Sequence, residues 1–210
     1  MIGLVFSVGV LVFWWRPDLR LASEVWLHAK LSDWRKPMEA PGEVVVERVT
    51  AVDLSRLSPA QARVSRWLAV KYGIAPEPMA AMVLEAYRLS SESMLPAHLI
   101  LAVAAMESNF HPYIQSHAGA QGLMQVMPQI HRKRYEALGE DASAFDPLVN
   151  MRVGVSILKD FVRLKEGSID EGLKAYLGGM ALAEDGGYVA KVRAEEARLD
   201  RVAGGEKVDP

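Results

Sequence analysis

Residues 102–128 read AVAAMESNFHPYIQSHAGAQGLMQVMP, and this stretch decides the fold. It begins inside a run that is apolar nearly all round, Ala97 to Met106, which opens after Pro96. A run of this kind predicts a buried helix. Glu107 ends the run, and a loop punctuated by glycines follows. The pattern therefore predicts a buried helix that delivers one carboxylate to the start of a loop.

Two effects predict a raised pKa for Glu107. The end of a helix carries partial negative charge, and the apolar surroundings are partly dry, so both disfavour the ionised carboxylate. A carboxyl group with a raised pKa can act as a general acid near neutral pH. The alternative is a glutamate that merely faces solvent at a helix end. The glycine-rich loop after it favours the first interpretation.

Two motifs follow one another closely from this glutamate. The first is ES-x-F-x-P, which starts at Glu107, and the second is S-x-x-G-A-x-G-L-M-Q-x-M-P, which ends at Pro128. They resemble the motifs of the lytic transglycosylases of the soluble (SLT) type, relatives of goose-type lysozyme. The resemblance implies cleavage of the β-1,4 bond between N-acetylmuramic acid and N-acetylglucosamine in peptidoglycan. It also implies that Glu107 is the sole catalytic acid and base, and that the muramic acid 6-hydroxyl attacks its own anomeric carbon to give a 1,6-anhydro product.

The positions of the acidic residues favour such a mechanism. Ordinary glycoside hydrolysis uses two carboxyl groups that flank the bond. After Glu107 the next acidic residues are Glu136, Glu140 and Asp141, so none lies in the loop, although the fold could bring a distant acid back. Attack by an internal hydroxyl suits a single acid, because proximity replaces an external nucleophile.

The candidates for binding substrate are Ser108, Ser116, Gly122, Met124, Gln125, Tyr176 and Tyr188. The hydroxyls of Ser108 and Ser116 can bond a carboxylate or a sugar, and by family analogy Ser116 supports the glutamate; the alternative is a serine that bonds its own loop backbone. Gly122 permits a close approach to sugar or a positive φ. Met124 offers a polarizable contact, and Gln125 offers an amide suited to an N-acetyl group.

Two later segments extend the resemblance. Asn150, Gly154 and Leu158 match the family pattern N-I-x-x-G-x-x-x-L, in which Met151 replaces the isoleucine, and Tyr176 matches the tyrosine of A-Y-N-A-G. Leu177 departs from that second motif, and the loss of an asparagine amide could weaken glycan binding or alter subsite preference. The resemblance implies a hydroxyl near the glycan or the glutamate at Tyr176, with core packing as the alternative. Tyr188 resembles the family's late tyrosine.

The N-terminal part of the chain predicts a membrane-associated segment and a spacer. Residues 1–15 form an uncharged, largely apolar stretch whose length suits a signal peptide. No A-x-A cleavage site follows, and Trp14 and Trp15 suit a membrane interface, so an uncleaved anchor is favoured over a cleaved signal or a helix that packs on the domain. Residues 16–57 predict a linker with one short strand.

Helical periodicity dominates the remainder, so we expect a mainly α domain over residues 58–203 and a frayed tail over 204–210. The resemblance implies that this domain is lysozyme-like. Ser58 predicts an N-cap before Pro59, and Gly73 predicts the end of that helix. A second helix is expected from Pro78 to Ser91. Later helices are expected after Pro128, over the core stripe of residues 148–162, and over a charge-rich, surface-exposed segment from residue 188.

Composition excludes several classes of function. The net charge of −2 and pI of about 6.2 give no support to nucleic-acid binding. The chain has no cysteine, and His111 and His117 lack a metal-binding spacing, so we expect neither a metal nor another cofactor. The basic run from His131 to Arg134 predicts a solvated helix face, or more weakly a contact with anionic envelope groups.

These observations predict a lytic transglycosylase in the bacterial cell envelope, on the periplasmic side, either anchored or secreted. Its partners would be peptidoglycan strands and, through residues 1–15, the membrane. Two alternatives stay open: a lysozyme-type hydrolase, and a non-catalytic glycan-binding or envelope-assembly protein with the same fold. The sequence does not indicate an oligomeric state.

Overall fold

A computed structural model describes residues 53–139, 141–178 and 185–210, together with the backbone of residues 36 and 37. The helices of these ranges are α1 Pro59–Tyr72, α2 Pro76–Ser93, α3 Ala97–Ser108, α4 Pro128–Glu136, α5 Pro147–Leu164, α6 Ile169–Gly178 and α7 Tyr188–Gly204. A 3₁₀ turn spans Leu54–Arg56, and the two-residue strands are β1 Lys36–Pro37 and β2 Ile114–Gln115. The prediction of a mainly α fold is confirmed.

Local capping signals set the bounds of α1 as predicted. Ser58 Oγ accepts a hydrogen bond from the backbone N–H of Gln61, and the Gln61 side chain accepts one from the backbone of Ser58, so the two residues form a capping box. Gly73 ends the helix in the left-handed region, at φ 65°. The second helix begins at Pro76 rather than at the predicted Pro78.

The core is built around α3. Every residue from Leu99 to Ala105 is buried, as the apolar run predicts, and α3 packs against α2 and α7. α5 packs against α2 and α6. α3 thus lies between the other elements and carries its final turn, with Glu107, to the loop of residues 109–127.

The prediction of a surface-exposed final helix is wrong for one face of α7. Val192, Leu199 and Val202 are buried there, and Glu195 is only 2% exposed. Lys71 of α1 donates to both carboxylate oxygens of Glu195, at 2.6 and 2.8 Å. A buried carboxylate needs such a partner, since desolvation without pairing would be costly.

The prediction of a frayed C-terminal tail is also wrong. The Trp67 indole N–H donates to the carbonyl of Val208, at 2.9 Å, and Val208 packs against the core. Arg63 Nε donates to the carbonyl of Ala203 at 3.1 Å. These contacts attach the last residues to α1.

The predicted N-terminal segment, residues 1–15, lies outside the described residues, as does most of the predicted linker. Within the parts of the chain that the structure describes, no helix is both long enough and apolar enough to cross a membrane.

Candidate active site

Glu107 lies in the last turn of α3 and is 8% exposed. The helix ends directly after it because Asn109 and Phe110 both adopt left-handed backbone conformations, at φ 50° and 61°. The Phe110 side chain is buried against Tyr72, with ring centroids 5.1 Å apart. This packing holds the turn that follows the carboxylate.

Tyr188 is the first residue of α7, and its hydroxyl donates a hydrogen bond of 2.6 Å to Glu107 Oε1. The start of α7 is fixed by Asp185, whose carboxylate accepts from the backbone N–H groups of Gly187 and Val189. Burial alone would raise the pKa of Asp185, but these backbone hydrogen bonds outweigh it and lower that pKa. An ionised Asp185 thus orders the turn that presents Tyr188 to the glutamate.

Three polar side chains from three helices fix the loop next to this pair. The Ser108 hydroxyl of α3 lies 2.7 Å from the carbonyl of Leu123, to which it donates. Asn150 Oδ1 of α5 accepts from the N–H of Met124 at 2.7 Å, and the Tyr176 hydroxyl of α6 donates to the Met124 carbonyl at 2.8 Å. Consecutive backbone groups of the loop are therefore held by side chains.

Two glycines allow the loop to approach α5 closely. A Cβ atom on Gly122 would lie 2.1 Å from the carbonyl oxygen of Ala144 and 2.6 Å from Asn150 Nδ2, and its φ of 76° also suits glycine. On α5, a Cβ atom on Gly154 would lie 2.7 Å from the Met124 sulfur. Neither position has room for a side chain.

Tyr176 lies close enough to the glutamate to sense its charge. Its pKa is well above the ordinary value, first because the phenol is buried and then because Glu107 is negatively charged. Tyr176 therefore stays a neutral donor to the loop at any physiological pH. The site combines one largely buried carboxylate, one tyrosine bonded to it and a second tyrosine that anchors the loop.

Comparison with known proteins identifies the family of this domain. A family model for the Transglycosylase SLT domain matches residues 87–196, just over half of the chain. The chain belongs to the transglycosylase SLT domain family. A transglycosylase of Enterobacteria phage PRD1 is 33% identical to it over 90 residues. That alignment covers 43% of this chain and spans about a third (32%) of the phage protein's length.

The matched SLT domain contains both Glu107 and Tyr188, but it does not include α1 or the C-terminal tail.

The expected support of the glutamate by Ser116 stays a prediction. The Ser116 hydroxyl accepts a hydrogen bond from the N–H of Ala120, at 3.0 Å, which is a contact within the loop, as in the alternative interpretation. Gln125 turns its amide N–H groups toward the carbonyls of Gly122 and Ile114, at 3.0 and 3.2 Å.

Two residues that we predicted to bind substrate lie in the core of the SLT domain. Ser108 and Met124 have no exposed surface. A fully buried side chain cannot reach a ligand unless its neighbours move, so we reassign Ser108 to anchoring the loop and Met124 to packing under it. Leu177, the departure from the family motif, is partly buried on α6.

Asn150 is the residue of the SLT domain whose importance we underestimated. Its side chain is fully buried, and its amide N–H groups face the carbonyls of Gln121 and Ala144 and the Tyr135 hydroxyl, at 2.8 to 3.1 Å. The signal was present in the sequence, since Asn150 and Gly154 are four residues apart and so share a helix face. The pattern predicts a core helix, and the structure shows that the same helix face also contacts the loop at Met124.

Among the described residues, no three His, Cys, Asp or Glu side chains form a group that could hold a metal ion.

Proposed function

We propose that this protein is a peptidoglycan lytic transglycosylase that cleaves the β-1,4 bond between N-acetylmuramic acid and N-acetylglucosamine and leaves 1,6-anhydromuramic ends. The observation that supports this most directly is the pair formed by Glu107 and Tyr188: a carboxyl group that is 8% exposed and accepts a 2.6 Å hydrogen bond from a tyrosine hydroxyl. Membership of the SLT family adds the substrate class.

One carboxyl group is enough for the proposed reaction. In its neutral form Glu107 donates a proton to the glycosidic oxygen, and the bond from that oxygen to the muramic acid anomeric carbon breaks. The resulting carboxylate then takes the proton from the muramic acid 6-hydroxyl, whose oxygen bonds to the same carbon. Protons balance over the cycle, and no water is consumed.

The residues around Glu107 have separate parts in this cycle. Tyr188 orients the carboxyl group and stabilises its ionised form after the first proton transfer. Tyr176 and Asn150 hold the loop along which the glycan would lie. A glycan cleft needs such rigidity because misplacement of the reacting atoms by about 1 Å can cost a hundredfold in rate.

The test is to digest purified peptidoglycan with wild type and Glu107→Gln and to weigh the fragments by mass spectrometry. We expect anhydro ends from wild type and a loss of about 10²–10⁴-fold in the variant, the usual contribution of a general acid or base. Glu206→Gln, which changes an exposed carboxylate in the tail, should retain wild-type activity.

The alternatives give different masses. Reducing ends, heavier by one water, would identify a lysozyme-type hydrolase and overturn the transglycosylase proposal. If a correctly folded wild type releases no fragments, the result would favour a non-catalytic glycan-binding protein. The departure from the family motif at Leu177 is the observation that suggests this alternative.

We further propose that the protein acts on the periplasmic side of the bacterial envelope, where peptidoglycan lies, and that residues 1–15 attach it to the membrane or direct its export. This rests on the apolar sequence of that segment. Fractionation of cells that produce the full chain, or the chain without residues 1–15, tests it; equal distribution of the two forms would contradict it.

A further inference from the structure

A cavity of about 590 Å³ opens between α2 and α5. Both helices contribute charged side chains to its wall, and these are Arg88, Glu92, Arg152 and Lys159. The residues to which the proposed reaction assigns a part do not line this cavity. The glycan chemistry therefore leaves it unused.

A buried acid holds Arg152 in one orientation. Arg152 Nε donates to Glu85 Oε1 at 2.6 Å, and Glu85 is only 7% exposed. Arg88 donates to the same carboxylate through Nη2 and Nε, at 2.7 and 2.8 Å, so both carboxylate oxygens are occupied. Since a desolvated carboxylate is costly to leave unpaired, this arrangement fixes the plane of the Arg152 guanidinium group.

The outer edge of that guanidinium group has unused hydrogen-bond donors. Within the described parts of the chain, Nη1 and Nη2 of Arg152 have no acceptor, although the side chain is 39% exposed and lines the cavity. The two amino groups lie in one plane, and their spacing suits two oxygens of a single anion. Because the plane is already fixed, an anion would bind there with little loss of side-chain entropy.

Lys159 adds a second available cation to the same wall. Its Nζ donates to the backbone carbonyl of Glu92 at 3.1 Å, and no described carboxylate forms an ion pair with it. The Glu92 carboxylate is itself paired with Arg88. Three cations, Arg88, Arg152 and Lys159, thus face two carboxylates, Glu85 and Glu92, which leaves one positive charge for a ligand to balance.

These donors match a phosphate better than a sugar or a carboxylate. Sugar hydroxyls would leave the remaining positive charge without a counter-charge. A carboxylate has two oxygens, which the outer edge of Arg152 would occupy, whereas a phosphate monoester has a third terminal oxygen for Lys159. Leu89, Leu138 and Val155 also line the cavity, and Leu138 is 44% exposed, so the ester group can be apolar.

We propose that this cavity binds a phosphate monoester with an apolar ester group. The phosphate oxygens accept from Nη1 and Nη2 of Arg152 and from Lys159 Nζ, and the ester group packs against Leu138. Soluble phosphate esters and the lipid phosphatidic acid share this chemistry. The inference does not rest on the proposed function, and neither test below measures cleavage.

The first test titrates phenyl phosphate into the full chain by calorimetry, with benzoate as the carboxylate of similar size. We expect saturable binding of phenyl phosphate and about tenfold weaker binding of benzoate. Arg152→Lys retains a charge that can pair with Glu85 but removes the outer edge, so it should weaken binding of phenyl phosphate about tenfold or more. Lys159→Gln should weaken it about threefold to tenfold. Lys191→Gln, an exposed lysine of α7 outside the cavity, is the matched control and should change nothing.

The second test distinguishes the two sources of the phosphate. The full chain is sedimented with phosphatidylcholine vesicles that contain or lack phosphatidic acid. A gain in sedimentation with phosphatidic acid that Arg152→Lys and Lys159→Gln both reduce supports a lipid headgroup. Binding of phenyl phosphate without such a gain supports a soluble ester.

Three results would overturn the proposal: no saturable binding of phenyl phosphate by the folded wild type, equal affinities for phenyl phosphate and benzoate, or unchanged binding in both variants. Urea unfolding checks that Arg152→Lys is folded. Lys159→Gln keeps the proposal testable if it is not, because Lys159 is exposed and bonds only a backbone carbonyl.

Discussion

At the scale of single residues, Met124 shows how polar side chains fix the loop of residues 109–127. Asn150 bonds its N–H, Tyr176 bonds its carbonyl, and Ser108 bonds the carbonyl before it. The next residue, Gln125, has a φ of 47°, a left-handed conformation that costs a non-glycine residue about 1 kcal/mol or more. The hydrogen bonds at Leu123 and Met124, together with those from the Gln125 amide to the carbonyls of Gly122 and Ile114, offset that cost.

Tyr188→Phe should impair catalysis without disrupting the fold. The change removes the 2.6 Å donor to Glu107 Oε1. Since a hydrogen bond to a charged group contributes about 1.5–3 kcal/mol, we expect kcat to fall by about tenfold to a hundredfold. In wild type the Tyr188 hydroxyl stabilises the ionised carboxylate, so its removal should raise the pKa of Glu107. The limb of the pH–kcat profile that reports Glu107 ionisation should therefore move to higher pH.

Tyr87→Phe is the control for this prediction. The Tyr87 hydroxyl lies 2.7 Å from His98 Nε2, and Tyr87 has no hydrogen bond to Glu107 in the structure, so its profile should match that of wild type. An unmoved profile for Tyr188→Phe would mean that Tyr188 does not control the ionisation of the glutamate.

At the scale of elements, the sequence predicted the helix ends and the buried segment that local signals determine. The cap at Ser58, the end at Gly73 and the buried run of α3 all depend on residues that are neighbours in the chain. The burial of α7 depends instead on partners far away. Glu195 is paired with Arg198 of the same helix and with Lys71, which is 124 residues earlier. Helical spacing indicates the first partner, but no periodicity indicates the second.

Gly154→Ala should damage the contact between α5 and the loop of residues 109–127. The new Cβ atom would lie 2.7 Å from the Met124 sulfur and 3.0 Å from the Tyr176 hydroxyl oxygen, so the loop must shift. We expect a loss of about 1–3 kcal/mol in the free energy of unfolding, measured in urea, together with lower activity.

Gly204→Ala is the matched control, because Gly204 also lies in a helix but a Cβ atom there would have no neighbour within 4 Å. That change should leave the free energy of unfolding unchanged or raise it by up to about 1 kcal/mol. Equal effects of the two substitutions would show that the close approach at Gly154 does not matter.

The contact between α2 and α5 should make the free energy of unfolding depend on pH. Burial alone would raise the pKa of Glu85, but hydrogen bonds from Arg88 and Arg152 outweigh it and lower that pKa. A lowered pKa means that the stabilisation is complete above the unfolded-state pKa, near 4.5, and is lost as the pH falls through the folded-state value. Glu85→Gln should therefore cost more at pH 7 than near pH 3, as urea unfolding at both values would measure. The exposed Glu206→Gln should show no such difference; a constant cost for Glu85→Gln would refute the linkage.

At the scale of the whole molecule, the site joins parts of the chain that local reasoning treats separately. Glu107 and Tyr188 are 81 residues apart, and the motif resemblance, not helical periodicity, singled out both. Residue chemistry alone was less successful with Ser108 and Met124, because the sequence does not reveal which face of a loop packs inward. The positions of the helices were predictable, whereas the contacts that orient the loop depend on how α3, α5 and α6 meet.

The C-terminal tail makes the last prediction at this scale. Deletion of residues 206–210 removes the carbonyl of Val208 that the Trp67 indole N–H bonds, and it also removes the packed Val208 side chain. We expect a loss of about 1–2 kcal/mol in the free energy of unfolding, from one hydrogen bond and part of a valine's burial. In a Trp67→Phe background the deletion should cost about 1 kcal/mol less, since the donor is already gone. Urea unfolding of the four proteins measures this coupling. Equal costs in both backgrounds would show that the indole hydrogen bond contributes nothing. No cost in either background would support the prediction that the tail is frayed.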